Sequence, residues 1–218
     1  VGCGDVTLSI LPLHHTYECT LGFLTLIYSG GTIAFNEGLK YIQKNLREVR
    51  PTVLVTVPLL LENMYKKIWE QAGKKPGMKS LLKAMVGLGA VLKVVGIDIR
   101  RSLFSSVHKN FGGRLRLIVT GAAAISPEVS NGLNRMGFKV LQGYGLTECS
   151  PLVMGERDNM YGNASVGLPL PGVEVKIINQ DESGVGEIIV KGDNVMLGYY
   201  KNIEATRKCL KDGWFYTG

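Results

Sequence analysis

Apolar and polar positions follow two different patterns along the chain, and the change falls near Pro151. Before it, short unbroken apolar runs alternate with stretches of helical period. Residues 7–11, 32–35, 53–57, 115–120 and 138–141 are β-type runs, and an uninterrupted apolar run suits a strand covered on both faces. Between them Leu39, Ile42, Leu46 and Val49 recur at helical spacing, with Lys40, Lys44, Arg47 and Glu48 on the other faces. Further helices are expected at residues 16–28, 59–72, 81–95 and 100–110, and one more from Ser126 to near Gly137. Pro58 suits a first turn, and Ser126-Pro127-Glu128 combines an N-cap, a proline at N1 and an early acid. This alternation predicts an α/β fold built on a mostly parallel, doubly wound sheet. After Pro151, residues 173–177 alternate, 182–186 turn and 187–190 run back, the pattern of an antiparallel hairpin. A small antiparallel β subdomain is therefore expected from about Ala164, dividing the chain into an α/β part, 1–163, and a β-rich part, 164–218. A short helix is expected at 203–210, ahead of Asp212-Gly213-Trp214-Phe215.

With 45% hydrophobic residues in 218, the chain can bury a sizeable core, which excludes a disordered protein. It begins Val1-Gly2-Cys3 without an initiator methionine and closes on Tyr216-Thr217-Gly218, so it reads as an internal piece of a longer polypeptide. The four cysteines, Cys3, Cys19, Cys149 and Cys209, are far apart and form no CxxC pair. They fit reduced thiols in a cytoplasmic protein rather than a disulfide frame or a zinc site. Cys149 has no histidine near it in sequence and reads as a bystander. Residues 19–36 form an 18-residue uncharged run, but Ser29-Gly30-Gly31-Thr32 breaks it, so a buried helix followed by a buried strand is expected instead of a membrane span.

The net charge of +7 is unevenly spread. Residues 40–110 hold 14 Lys and Arg against 4 Asp and Glu, and the remainder holds 11 against 14. That central excess could suit peripheral contact with a lipid surface or a polyanionic ligand, but solvated helix faces account for it more simply. No aromatic residues interleave the basic ones in a stacking pattern, so nucleic acid is not expected as a partner.

The candidate chemistry lies at the ends of three strands: His14-His15, Gly121-Ala122-Ala123-Ala124 and Gly143-Tyr144-Gly145-Leu146-Thr147-Glu148. In open α/β sheets ligands bind outside the carboxyl ends of the strands, so neighbouring strands would bring the three loops to one crevice. The last loop offers backbone N–H groups to an anion, an aromatic face to a flat base and oxygens to a hard cation, parts that suit a magnesium-nucleotide. Taken alone it could equally be a tight turn with a surface Thr-Glu pair. The alanine run could equally be close helix–sheet packing, and the histidines a solvated helix start. A dinucleotide fingerprint fails because Glu148 stands where its third glycine would be, and no GxxxxGK[ST] phosphate loop occurs.

A series of segments in order along the chain nevertheless resembles the adenylate-forming enzymes: acyl-CoA synthetases, luciferases and peptide-synthetase adenylation domains. Leu11-Pro12-Leu13-His14-His15 is similar to the family's LPLxH segment, and Thr120-Gly121-Ala122-Ala123-Ala124-Ile125-Ser126 to its TGAAPIS-type loop. Tyr144-Gly145-Leu146-Thr147-Glu148 resembles YGxTE. The stretch from Ser165 to Val175 resembles SVGxPxPGxEV, and Gly186-Glu187-Ile188, Gly192, Gly198-Tyr199-Tyr200 and Tyr216-Thr217-Gly218 follow in family order.

The resemblance implies a two-step ligase. A carboxylate attacks the α-phosphate of ATP to give an acyl-adenylate and pyrophosphate, and CoA then displaces AMP. It implies that Tyr144 stacks on adenine, that Gly121, Ala122 and Ala123 with Gly143 and Gly145 wall the nucleotide and acyl pocket, and that Thr147 binds phosphate. Glu148 would hold Mg2+, and His15, rather than His14, would lie near the acyl group. The basic segment at about 62–111 and the LPLHHTYE wording are most like long-chain fatty-acyl-CoA ligases, with aryl or succinylbenzoyl-CoA ligases and a non-catalytic nucleotide-binding scaffold as alternatives. Ala124 stands where many members have proline, and Ile203 where GYxxxP would place one. The chain also lacks the family's serine/glycine-rich phosphate loop, ribose-binding aspartate and lysine-bearing C-terminal domain, so by itself it is expected to be catalytically inactive.

Overall fold

The computed structural model describes residues 1–157 and 165–218. The boundary expected between 163 and 164 lies outside the described residues. Strands β1 (Val6–Ser9), β2 (Thr32–Phe35), β3 (Val53–Thr56), β4 (Leu117–Thr120) and β5 (Val140–Gly145) pair in parallel in the order β2-β1-β3-β4-β5. β6 (Leu152–Gly155) and β7 (Leu168–Pro169) extend this sheet antiparallel beyond β5, making seven strands. Strand order reverses at β1, so right-handed crossovers send the connections to opposite faces, as a doubly wound sheet requires. All four β3 residues are buried, as an apolar run covered on both faces should be.

The connecting helices are α1 (Thr25–Tyr28), α2 (Ile42–Val49), α3 (Pro58–Gly73), α4 (Met78–Val94), α5 (Arg100–Leu103), α6 (Ser105–Asn110) and α7 (Pro127–Arg135). Leu46 of α2, Leu61 of α3 and Leu133 of α7 are fully buried, and they form one core with Phe104, Phe111, Ile118 and Val140. Fully burying each such side chain is worth about 1.5–3 kcal/mol. The second sheet runs β10 (Leu210–Lys211), β11 (Trp214–Tyr216), β9 (Glu187–Lys191), β8 (Glu174–Ile178), with β8 and β9 as the expected hairpin. Val190 and Phe215 bury against Cys149 and Val153 of the first sheet's end, which makes a second core. The helix α8 (Ile203–Cys209) is capped by the Asn202 side chain, which accepts from Ala205 N at 3.1 Å.

Four local expectations are corrected. Residues 100–110 form two helices, because the backbone at Phe104 (φ −99°, ψ 27°) leaves helical geometry and lets its ring drop into the core. The helix at 16–28 is a wide π-helix from Glu18 to Leu24, with the Glu18 carboxyl tucked beneath Gly22. Together with β2 it is only half-buried: β2 is the sheet edge, and Ile27, Tyr28 and Phe35 are exposed. The Ser126 side chain makes no capping hydrogen bond. Its carbonyl instead accepts from Val129 N and Ser130 N. No helix among the described residues is long and apolar enough to cross a membrane.

Candidate active site

Parallel pairing through β3 aligns β1, β4 and β5, so the loops that leave their carboxyl ends meet at one end of the strands. His15, Gly121, Ala122, Gly143, Gly145, Thr147 and Glu148 line one crevice of about 280 Å³ there. Ala123 is exposed and lies outside that lining, as does His14. Tyr144 is half-buried and packs on the second core, against the cluster of Cys149, Val153, Val190 and Phe215. Cys149 is fully buried, and burial together with the Glu148 charge pushes its thiol up to about 11, so it stays protonated and non-nucleophilic at neutral pH. A groove between α2 and α3, lined by Leu39, Ile42, Leu60, Met64 and Phe111 among others, carries no carboxylate, histidine, hydroxyl or thiol.

Backbone freedom shapes this crevice. Gly145 pairs with Leu152 across the β5–β6 junction, where the register shifts, and a Cβ there would overlap the Pro151 carbonyl. A Cβ on Gly121 would press on Gly143 O (3.3 Å) and on the Tyr17 ring (3.4 Å). Ala122 adopts a left-handed φ of 69°, which costs a non-glycine residue about 1 kcal/mol or more and turns the chain sharply out of β4.

Residues that the sequence did not single out complete the wall. Tyr17, 6% exposed, shares its hydroxyl proton between Thr56 O (3.2 Å) and Val119 O (3.1 Å), and so ties the helix after β1 to the ends of β3 and β4. Burial raises its phenol well above the usual value, so it acts as a neutral donor. Thr16 Oγ1 lies 3.4 Å from Thr147 Oγ1, joining two of the three loops. Tyr17 N–H donates to His15 Nδ1 at 3.1 Å, which in a neutral ring leaves the proton on Nε2. From the second sheet's side, the Tyr199 hydroxyl donates to Glu148 Oε1 at 2.8 Å, and the Glu148 carbonyl accepts from Met196 N at 2.8 Å. The Glu148 hydrogen bond holds the Tyr199 phenol up to about 12. The signal for Tyr199 was present in Gly198-Tyr199-Tyr200, but its partner lies 51 residues away.

In the helix that follows β1, the buried Glu18 carboxyl accepts Ser9 Oγ–H at 2.6 Å through one oxygen, and its other oxygen has no partner among the described residues. Burial raises its pKa above the ordinary carboxylate value, outweighing the Ser9 hydrogen bond that lowers it. A carboxyl whose folded pKa is raised favours the native state fully below the unfolded pKa, and that advantage is lost as pH climbs toward the folded value. Glu18→Gln is therefore expected to remove this loss and to raise the midpoint of thermal unfolding at about pH 8 relative to the parent chain. Thermal scans from about pH 4 to pH 8 check it, and parallel profiles for the two proteins would refute it.

A doubly wound sheet whose β1, β4 and β5 loops converge on a glycine-walled, carboxylate-bearing crevice is the class of α/β protein that binds ligands outside the carboxyl ends of its strands. Residues 1–200 match the model of the AMP-binding enzyme family, and the chain belongs to that family. It is 35% identical to long-chain-fatty-acid–CoA ligase 6 of Rattus norvegicus, over 99% of this chain and 33% of that protein. Among solved structures it resembles a malonyl-CoA ligase in ternary product complex with methylmalonyl-CoA and AMP, at 25% identity and a TM-score of 0.70, over 100% of this chain and 41% of that one. The N-terminal domain of FACL13 from Mycobacterium tuberculosis, 21% identical with a TM-score of 0.70 over 100% of this chain and 48% of that one, shares the fold. The chain spans about a third of the length of the curated relatives it matches.

Proposed function

We propose that the chain supplies the adenylate-binding crevice of an AMP-forming acid–CoA ligase that activates long-chain fatty acids. The observation that carries this reading is the meeting of His15, Gly121, Ala122, Gly143, Gly145, Thr147 and Glu148 in one crevice, in a chain 35% identical to a long-chain-fatty-acid–CoA ligase. In this reading a fatty carboxylate attacks the α-phosphorus of ATP, the bond to pyrophosphate breaks, and an acyl-adenylate forms. The CoA sulfur then attacks the acyl carbon, and AMP leaves with the bonding electrons.

Each lining group has a role its geometry suits. Gly121, Gly143 and Gly145 carry no side chains, so the nucleotide can lie against backbone. Ala122 sits at the turn out of β4 and leaves the base edge uncrowded, while Ala123 lies outside the lining and takes no part in it. The Thr147 hydroxyl, exposed and near Thr16, donates to phosphate oxygens. His15 offers Nε2–H to the acyl carboxylate or to the oxygen it forms on phosphorus. Tyr144 reaches adenine only by turning its ring off the second core, and that motion is part of the proposal.

Glu148 is the candidate magnesium ligand, and the donor set fits that ion. The described residues contain no cluster of three or more His, Cys, Asp or Glu. A cation at Glu148 would thus rest on one carboxylate, with phosphate and water completing its shell, which is how magnesium is commonly held. Bound there, magnesium would neutralise charge building on the phosphate oxygens. The Tyr199 hydrogen bond fixes the Glu148 carboxylate until the nucleotide arrives. The proposal extends to a cytoplasmic setting, which the free thiols Cys3, Cys19, Cys149 and Cys209 favour. An acid-dependent exchange of pyrophosphate into ATP tests the assignment.

A further inference from the structure

The crevice uses none of the positive charge concentrated between residues 40 and 110. Part of that charge collects at the opposite end of the sheet. Arg47 and Arg50 at the end of α2, Arg101 on α5 and Lys109 on α6 line one open basin of about 390 Å³, a volume within the range of small-molecule sites, about 300–1,000 Å³. Arg50 precedes β3, and Gly112 and Gly113 on the basin's rim precede β4. The basin therefore faces away from the carboxyl ends where the crevice lies.

The protein leaves this charge uncompensated. No acidic residue lines the basin, and none of the four cations has an ion-pair partner among the described residues. The acceptors they do meet are neutral. Arg47 Nη2 donates to Asn110 Oδ1 (2.6 Å), Arg50 Nε to Gly112 O (3.2 Å), and Arg101 to Leu115 O (2.7 Å) and Gly113 O (3.1 Å). The negative ends of α2 and α6 offset about half a charge each, so roughly three positive charges remain in excess. His108, which floors the basin, adds none: burial lowers its pKa, and its ring stacks on Phe138 at 4.1 Å. The Arg50 terminal nitrogens and the Lys109 ammonium make no hydrogen bond among the described residues and stay available. Several guanidinium forks beside one ammonium can engage the several oxygens of a phosphate group at once, with two or more positive charges to meet its charge.

We propose that this basin is a second anion site, independent of the crevice, which binds a ligand carrying two or more negative charges on phosphate groups. Free phosphorylated metabolites and phosphate-bearing lipid headgroups share that chemistry.

Titration of the 15N-labelled chain with inorganic pyrophosphate separates the two sites, because Gly112 and Gly113 report on the basin and Gly143 and Gly145 on the crevice. Saturable shifts at Gly112 and Gly113 are expected, weakened about tenfold in Lys109→Gln, the loss of one charge-assisted contact. Lys109 makes no protein hydrogen bond among the described residues, so this variant should keep the parent spectrum elsewhere. Arg50→Gln should weaken binding similarly. Shifts confined to the crevice glycines would overturn the proposal and leave the crevice assignment standing. Basin shifts that Lys109→Gln leaves unchanged, or that chloride reproduces, would overturn it as well. Co-sedimentation with phosphatidylcholine vesicles containing phosphatidic acid, but not with phosphatidylcholine alone, and its loss in Lys109→Gln, would support the headgroup source. Pyrophosphate binding without co-sedimentation would support a soluble ligand.

Discussion

Glu148→Gln, placed in an enzyme that carries this chain at the length of its curated relatives, is expected to slow fatty-acid-dependent ATP–pyrophosphate exchange by about 10²–10³-fold. Glutamine keeps the size of the side chain and an oxygen that can accept the Tyr199 hydroxyl, now at 2.8 Å, so the loop should stay in place. What is lost is the negative charge that the proposal assigns to the magnesium-nucleotide. The defect should fall on exchange and on the magnesium concentration it needs, while the unfolding midpoint stays at the parent value. Tyr199→Phe separates positioning from charge: it removes the hydrogen bond, keeps the carboxylate, and should cost about tenfold or less. Equal losses in the two variants would mean that Glu148 acts through the loop's shape and not through its charge.

Gly145→Ala is expected to cost about 3 kcal/mol of stability, because the new methyl meets a backbone carbonyl rather than a flexible side chain. The overlap is with Pro151 O, in the loop just before β6, the strand that pairs with β5. Relief requires β5 and β6 to separate where Gly145 opposes Leu152, and this unseats Leu146, Thr147 and Glu148 together. For a chain of this size the thermal midpoint should fall by about 10 °C, read by calorimetry. Gly155→Ala is the control: nothing lies within 4 Å of a Cβ there, so its midpoint should move little.

The elements legible in the sequence were those fixed by local pattern. Residues 53–57 read as a doubly covered strand because Val53, Leu54 and Val55 are apolar without a break, and β3 is buried throughout. The hairpin of β8 and β9 was visible in the alternation of 173–177 and the glycines at 184 and 186. The break at Phe104 was hidden, because Leu103, Phe104, Val107 and Phe111 satisfy a helical period whether or not the backbone kinks between them. The kink is a tertiary event, driven by burial of two phenylalanine rings. The half-exposed edge at β2 was hidden too. Strand order decides whether Ile33 and Ala34 have neighbours on both sides, and a single strand's composition does not encode order.

The candidate site divides in the same way. Glycines and the Thr147-Glu148 pair stand out because few other residues can turn so sharply or combine a hydroxyl with a carboxylate. Tyr17 does not stand out, since a tyrosine early in a helix looks like any core aromatic. Its role depends on two carbonyls, Thr56 O and Val119 O, that lie 39 and 102 residues away. Tyr199 is linked to Glu148 only by the packing of the second sheet on the end of the first.

In the proposed function this crevice forms acyl-adenylates from long-chain fatty acids. Exchange of labelled pyrophosphate into ATP, measured across a panel of fatty, aryl and dicarboxylic acids with an enzyme of the relatives' length that carries this chain, tests it most directly. Magnesium-dependent exchange is expected with long-chain fatty acids and not with ATP alone. Exchange supported only by aryl or dicarboxylic acids would contradict the substrate assignment. ATP binding with no exchange on any acid would contradict the enzyme reading itself.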